Sequence, residues 1–197
     1  MPELLLATNN RGKIREYAEL LSGCGYQLVT PAEKGIDIEV AETGETFADN
    51  AILKARALAA ASGLLTLADD SGLEVDALGG APGVHSARYA GDNASDAERI
   101  ALLLKNLVGV PVDRRAARFR CVIAIANPAG NVRMAEGSIE GIIAFTPKGS
   151  NGFGYDPVFL LPDIGKTMAE LPPGEKNRLS HRACAARAAC DLLKRDN

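Results

Sequence analysis

Two neighbouring carboxylates, Asp69-Asp70, follow the apolar run Leu64 to Ala68 and precede Ser71-Gly72. Acids at the end of a buried strand can hold a divalent cation. Magnesium takes oxygen ligands and keeps several waters, so one or two carboxylates suffice. One carboxylate can then hold the metal while the other orients or deprotonates a water. Taken alone, the same four residues read more readily as a turn, because Asp, Ser and Gly are turn formers.

Four further stretches carry groups with chemical potential. Thr8-Asn9-Asn10-Arg11-Gly12-Lys13 joins a short apolar strand, Leu4 to Ala7, to a helix. A helix N-terminus attracts anions through its free N–H groups and its dipole, and Lys13 adds a point charge. The glycine spacing is not that of a Walker loop, and an Asn-rich helix cap accounts for the residues equally well. Glu42-Thr43-Gly44-Glu45 precedes Asn50 and Lys54. Here Glu42 can complete a metal site and Lys54 can point away from an apolar helix face, although an acidic loop before an amphipathic helix reads the same way. Gly152-Phe153-Gly154-Tyr155-Asp156 flanks an aromatic with glycines, a form that can offer Phe153 as a stacking platform for a base. Lys176 and Ser180-His181-Arg182 put basic residues at the start of the last helix, where the dipole disfavours them. A bound anion or an electron-rich base would compensate.

Elements must hold these groups in place. Ile14, Tyr17, Ala18 and Leu21 fall at helical spacing, with Gly23 and Gly25 as the stop. Residues 46–62 form a second helix, opened by a Thr46/Asp49 capping pair and closed by Gly63. Ser95 with Glu98 opens a third, striped by Ile100, Leu103, Leu104 and Leu107. Phe119 to Ala126 reads as a strand, Asn127-Pro128-Ala129-Gly130 as a turn, and Val132 to Glu136 as the hairpin partner. Ile142 to Phe145 reads as a further strand, 146–157 as a loop, and 180–194 as the last helix. Helices alternate with strands early and hairpin strands follow, which predicts a mixed α/β fold. No linker interrupts residues 1–197, so a single domain is expected, or two lobes tightly joined.

Composition narrows the function classes. The chain has 197 residues, 47% of them apolar, and a net charge of −3. That balance gives no global basic field for a nucleic-acid duplex. No apolar run approaches the roughly 20 residues that span a bilayer, and Met1 to Asn10 does not read as a secretory leader. Neither a nucleic acid nor a membrane is therefore expected as a partner. Cys24, Cys121, Cys184 and Cys190 form no Cys-x-x-Cys pair, so zinc is not expected. Cys184 and Cys190 share the last helix, where six residues rise about 9 Å, too far for a bridge. Reduced, buried cysteines are the simpler reading and point to the cytoplasm.

The stretches together resemble one family. ATNNRGK at 7–13, ETGETFADNAILKA at 42–55, LADDSGLEVDALGGAPGVHSARYAG at 67–91, GFGYDPVF at 152–159 and SHRACA at 180–185 occur in the order found in the inosine triphosphatase family. The bacterial members of that family are dITP/XTP pyrophosphatases. The resemblance implies a mixed sheet, two lobes around a central cleft, and a homodimer. It implies magnesium-dependent hydrolysis of ITP, dITP and XTP to monophosphate and pyrophosphate. Carried over residue by residue, Thr8, Asn9, Asn10, Arg11, Gly12 and Lys13 form the triphosphate loop, Asp70 is the general base and a metal ligand, and Ser71 contacts substrate. The charge that hydrolysis must neutralise calls for Lys54 beside Lys13 and the metal, and Asp69 assists Asp70 by orientation or an outer-shell metal contact. Phe153, Gly154, Tyr155, Asp156, Lys176, His181 and Arg182 line the nucleotide pocket. Glu42 is the second metal-binding acid, although many relatives carry two acids where this chain has Ala41-Glu42. Two other readings share these features: a Maf-type pyrophosphatase acting on other modified nucleotides, and a nucleotide sensor without turnover.

Overall fold

The computed structural model describes residues 1–194. Strands β1 (Glu3–Leu6), β2 (Gln27–Val29), β3 (Leu65–Val75), β4 (Ala116–Ala126), β5 (Val132–Ile143), β6 (Phe159–Leu161) and β7 (Lys166–Thr167) form one mixed sheet in the order β2-β1-β3-β4-β5-β6-β7. β1 runs parallel to both β2 and β3, whereas β6 is antiparallel to β5 and β7. The helices are α1 (Arg11–Leu20), α2 (Phe47–Ser62), α3 (Asp96–Asn106), α4 (Pro173–Leu179) and α5 (His181–Lys194).

The chain segregates into two compact units. The first comprises Met1–Asp70, Cys121–Gly137 and the stretch from Arg182 onward; the second comprises Ser71–Arg120 and Ser138–His181. Each has its own apolar core. In the first, Leu4, Leu6 and Leu67 of the parallel strands pack with Ile123 and Ile125 of β4, Tyr17 and Leu21 at α1, and the small face Ala185, Ala186 and Ala189 of α5. In the second, Leu73 and Val75 meet the α3 stripe Ile100, Leu103 and Leu107, together with Phe119, Ile143 and Phe159. A leucine fully buried in such a core contributes about 1.5–3 kcal/mol.

Local chemistry explains the helix starts. Thr46 and Asp49 form a reciprocal capping box on α2, and Ser95 with Glu98 does the same on α3. Each box satisfies two N–H groups that would otherwise lack intrahelical partners. Gly63 closes α2 in the left-handed conformation, at φ 68°.

Four expectations need correction. β3 does not end at Ala68 but continues through Asp69-Asp70-Ser71-Gly72 to Val75, because pairing within the sheet overrides the turn propensity of those residues. Val132–Ile143 is one strand rather than two, running through Gly137 and Gly141. Lys176 lies on a separate short helix, α4, which Ser180 ends before α5 begins.

The fourth concerns cysteine. Cys24 and Cys190 form a disulfide, with Cα atoms 5.3 Å apart across a sequence separation of 166 residues. Spacing along one helix bears only on Cys184 and Cys190. Packing of the α1 exit against α5 brings in a third, a contact that no local spacing reveals. Cys121 and Cys184 are the free thiols. Among the described residues, no helix is long and apolar enough to cross a membrane.

Candidate active site

In the first unit, β1 delivers the chain to the start of α1. Asn10 caps that helix, its side-chain oxygen accepting from the Gly12 N–H at 2.8 Å and the Lys13 N–H at 3.1 Å. Thr8 Oγ1 accepts from the Asn10 N–H at 3.2 Å. The Thr8 and Asn10 oxygens are thus engaged in shaping the loop, while Asn9 and Arg11 are exposed along it. The cap also sets the direction in which Lys13 leaves the first helical turn. Lys13 Nζ sits 2.9 Å from Asp69 Oδ2.

Adjacent residues of a strand project to opposite faces of the sheet. Because β3 runs through both acids, Asp69 and Asp70 enter different surroundings. Asp69 is 1% exposed. Besides Lys13 it has Arg182 Nε at 3.8 Å, and the Cys121 thiol lies 3.9 Å from its Oδ2. Burial by itself pushes the Asp69 carboxyl up. The positive charges of Lys13, Arg182 and Lys54 outweigh it and hold the group far below the usual carboxylate range. The opposite effect acts on Cys121, whose thiol is pushed up to about 12 by burial and by the Asp69 charge.

Asp70 belongs to a second cluster. Its Oδ2 accepts from Asn50 Nδ2 at 3.1 Å, and Lys54 Nζ lies 3.9 Å from its Oδ1. Lys54 also contacts the Glu42 carboxylate, so Glu42 and Asp70 converge on one cationic centre. Burial raises the Asp70 pKa and Glu42 adds to the rise, whereas Lys54 and Asn50 oppose it; the net shift is upward. Lys54 is shifted up as well: burial works against its charge, and Asp69, Asp70 and Glu42 overcome that. The ammonium therefore remains charged among the three acids.

Arg182 is buried and paired with Glu16 of α1 as well as standing near Asp69. These two carboxylates supply the compensation that a basic residue at a helix N-terminus requires. His181, the preceding residue, belongs to the second unit and stacks on Phe119, with ring centroids 4.8 Å apart and planes at 20°.

The other part of the second unit's chemistry lies around Phe153. Asp156 Oδ2 accepts from the Phe153 N–H at 3.0 Å and from Lys176 Nζ at 2.6 Å. Lys176 also stands 4.9 Å from the Phe153 ring centroid, within cation–π range. Gly152 is required here twice over. Its φ is +77°, and a Cβ would lie 2.0 Å from Asp156 Oδ2. Tyr155 donates its hydroxyl to the Ser86 carbonyl at 2.9 Å, and Ser71 lies half-buried on β3.

Within the units the structure thus gathers three sets of side chains: Lys13, Asp69 and Arg182; Lys54, Glu42 and Asp70; and Phe153, Asp156 and Lys176. Two of their partners had no assigned role in the sequence, Asn50, named there only for its position, and Glu16. Asn50 is fully buried, its Oδ1 accepting from the Gly44 N–H at 2.8 Å while its amide serves Asp70. Its signal was the four-residue spacing to Lys54, which aligns both on one helix face. Glu16 carries the corresponding signal, three residues beyond Lys13.

Residues 4–192 match the profile of the Ham1 family. The chain belongs to the Ham1 family. A dITP/XTP pyrophosphatase of Desulforamulus reducens is 57% identical, with 98% of this chain and 96% of the relative aligned. That of Bacillus subtilis is 48% identical over 98% of both. A HAM1 protein from Coxiella burnetii, whose structure is solved, superposes with a TM-score of 0.91 at 45% identity, covering 99% of this chain and 100% of that one. This mixed α/β architecture is therefore that of Ham1 proteins. The Ham1 relatives align along nearly the whole chain, so the acidic pair and the Phe153 loop both fall within the matched region.

Proposed function

We propose that this Ham1-family chain hydrolyses non-standard purine nucleoside triphosphates (ITP, dITP and XTP) to the monophosphate and pyrophosphate. The observation that supports the reading is the convergence of Glu42, Asp70 and Asn50 around the Lys54 ammonium, beside the Lys13–Asp69 pair at the start of α1. A carboxylate held by Asn50 beside a cation site can serve as a general base, whereas Asp69, buried against Lys13 and Arg182, serves as a fixed counter-ion.

The donor set suits magnesium. Glu42 and Asp70 offer only oxygens and already converge on a cation, the Lys54 ammonium. Among the described residues no cluster of three or more His, Cys, Asp or Glu side chains could hold a metal by itself. Two carboxylates with substrate phosphates and water completing the shell is the usual magnesium arrangement. Glu42 and Asp70 would hold the ion, which when bound neutralises phosphate charge and polarises the phosphoryl group. Lys13 and Lys54 add positive charge for the triphosphate, placed by the Asn10 cap and by α2. Asn50 fixes the Asp70 carboxylate, and Asp70 takes the proton of the attacking water. Asp69 keeps Lys13 in place. Phe153 stacks on the base, and Lys176 with Asp156 orders the loop beneath it. Arg182, a donor with no acceptor, suits the carbonyl oxygen at position 6 of hypoxanthine and xanthine. Ser71 and His181 complete the contacts to the nucleotide. The enzyme is expected to act as a homodimer on the cytoplasmic nucleotide pool, an expectation that now rests on the substrate alone, because the Cys24–Cys190 bridge removes the argument from reduced thiols.

Pyrophosphate release from ITP, XTP, GTP, ATP, UTP and dUTP, with and without magnesium, tests this. ITP and XTP should be consumed in preference and only with a divalent cation. Preference for a pyrimidine would indicate a Maf-type substrate range, and tight ITP binding without turnover would indicate a sensor.

A further inference from the structure

The segment that carries Phe153 has no regular secondary structure of its own, since residues 144–155 lack both helix and strand. A stacking platform on such a segment works only if something outside it fixes the backbone. One such hold is a side chain with no role so far. Asp96, the first residue of α3, accepts the Gly154 N–H on its Oδ2 at 2.7 Å. Its other oxygen pairs with Arg99. Arg99 in turn donates to the Ala87 carbonyl at 2.8 Å and to the Ala94 carbonyl. Ala87 lies in the 3-10 segment Gly83–Arg88. That same segment contains Ser86, whose carbonyl receives the Tyr155 hydroxyl. Gly154 and Tyr155 are therefore tied to one anchor by separate arms, and Phe153 is the residue immediately before them. All of these contacts lie within the second unit.

We infer that Asp96, braced by Arg99, is a positioning residue for nucleobase recognition: it holds the Gly154 amide and thereby sets the pose of the Phe153 ring. The inference rests on the assignment of Phe153 to the base. The partners of the Asp96 carboxylate are the Gly154 amide and Arg99, not a phosphate-binding group. Its removal should therefore weaken base binding and leave phosphate binding alone. Two ligands separate these: inosine monophosphate carries a base, and pyrophosphate does not.

Isothermal titration with magnesium present measures both ligands on the intact protein. Asp96→Ala should weaken inosine monophosphate about three- to tenfold, the range for one partly solvated hydrogen bond, and leave pyrophosphate affinity unchanged. Phe153→Ala should weaken inosine monophosphate too. The double variant should lose no more than Phe153→Ala alone, because the two act through one ring. Losses that multiply in the double variant, or an unchanged affinity in Asp96→Ala beside a weakened Phe153→Ala, overturn the Asp96 inference and leave the base assignment standing. An unchanged affinity in Phe153→Ala removes the base assignment and the inference with it. Where Asp96→Ala does not fold, Asp96→Asn supplies a neutral acceptor that holds the amide less firmly. Gly154 should then exchange its amide hydrogen faster and inosine monophosphate should bind about twofold more weakly; an unchanged exchange rate overturns the inference.

Discussion

Replacing each acid of the pair by its amide isostere should produce opposite phenotypes. Asp69→Asn removes a charge that is 1% exposed and lies 2.9 Å from Lys13 Nζ and 3.8 Å from Arg182 Nε. Breaking a buried ion pair from one side costs about 3–5 kcal/mol, because the partner charges lose their compensation. For a chain of this size each kcal/mol lowers the melting temperature by about 2–4 °C, so a drop of about 6–20 °C is expected. Asp70→Asn should behave differently. Its folded-state pKa is raised, so the folded protein binds that proton more tightly than the unfolded chain does. At neutral pH the ionised group is thus a stability cost, and the amide should leave the melting temperature unchanged or raise it. Turnover should nevertheless be lost in Asp70→Asn, since the amide cannot accept the water's proton. The sign for Asp69 is the reverse. Its folded-state pKa is depressed, so its stabilisation is complete above the unfolded value and is lost as pH falls. The gap between wild type and Asp69→Asn should be flat above about pH 5 and shrink below about pH 4. Thermal melts across pH, paired with pyrophosphate release, measure all of this. An Asp69→Asn protein that melts with wild type, or an Asp70→Asn protein that turns over normally, refutes the division of roles.

Three more outcomes are expected. Thiol titration of the denatured, unreduced protein should count two cysteines, Cys121 and Cys184, and all four after reduction; four before reduction would remove the Cys24–Cys190 bridge. Asn50→Ala should lower kcat about tenfold with little change in KM, since it frees the Asp70 carboxylate from a hydrogen bond and leaves Lys13 and Lys54 in place; a pure KM effect would show that Asn50 serves binding. Gly152→Ala should weaken inosine monophosphate at least tenfold by forcing Asp156 off Phe153 and Lys176, and unchanged binding in calorimetry would exclude the close approach as a functional constraint.

Much of the scaffold was legible in local patterns. Capping pairs such as Thr46/Asp49 and Ser95/Glu98 act within one helical turn, so their signal is complete in four residues. β2, β6 and β7 went unseen because two or three residues carry no usable period, and only their neighbours in the sheet make them strands. The Cys24–Cys190 bridge and the Glu16–Arg182 pair were hidden for a related reason. Each joins α1 or its exit to α5, and sequence separation conceals any contact made by packing alone.

The acidic pair shows how one misjudged element changes a mechanism. Read as a turn, Asp69-Asp70 places two carboxylates in one solvated bend, where they would repel each other and share a fate. Read as a strand, the same residues alternate along it and make different direct contacts, while the Lys54 charge acts on both. Asp69 faces Lys13 of α1 and Arg182 of α5; Asp70 faces Asn50 and Lys54 of α2. A period of two residues, applied to neighbours that are chemically identical, gives them different partners and shifts their pKa values in opposite directions. If the two acids are interchangeable their amide variants should match in melting temperature and turnover; the proposed roles require them to differ in both.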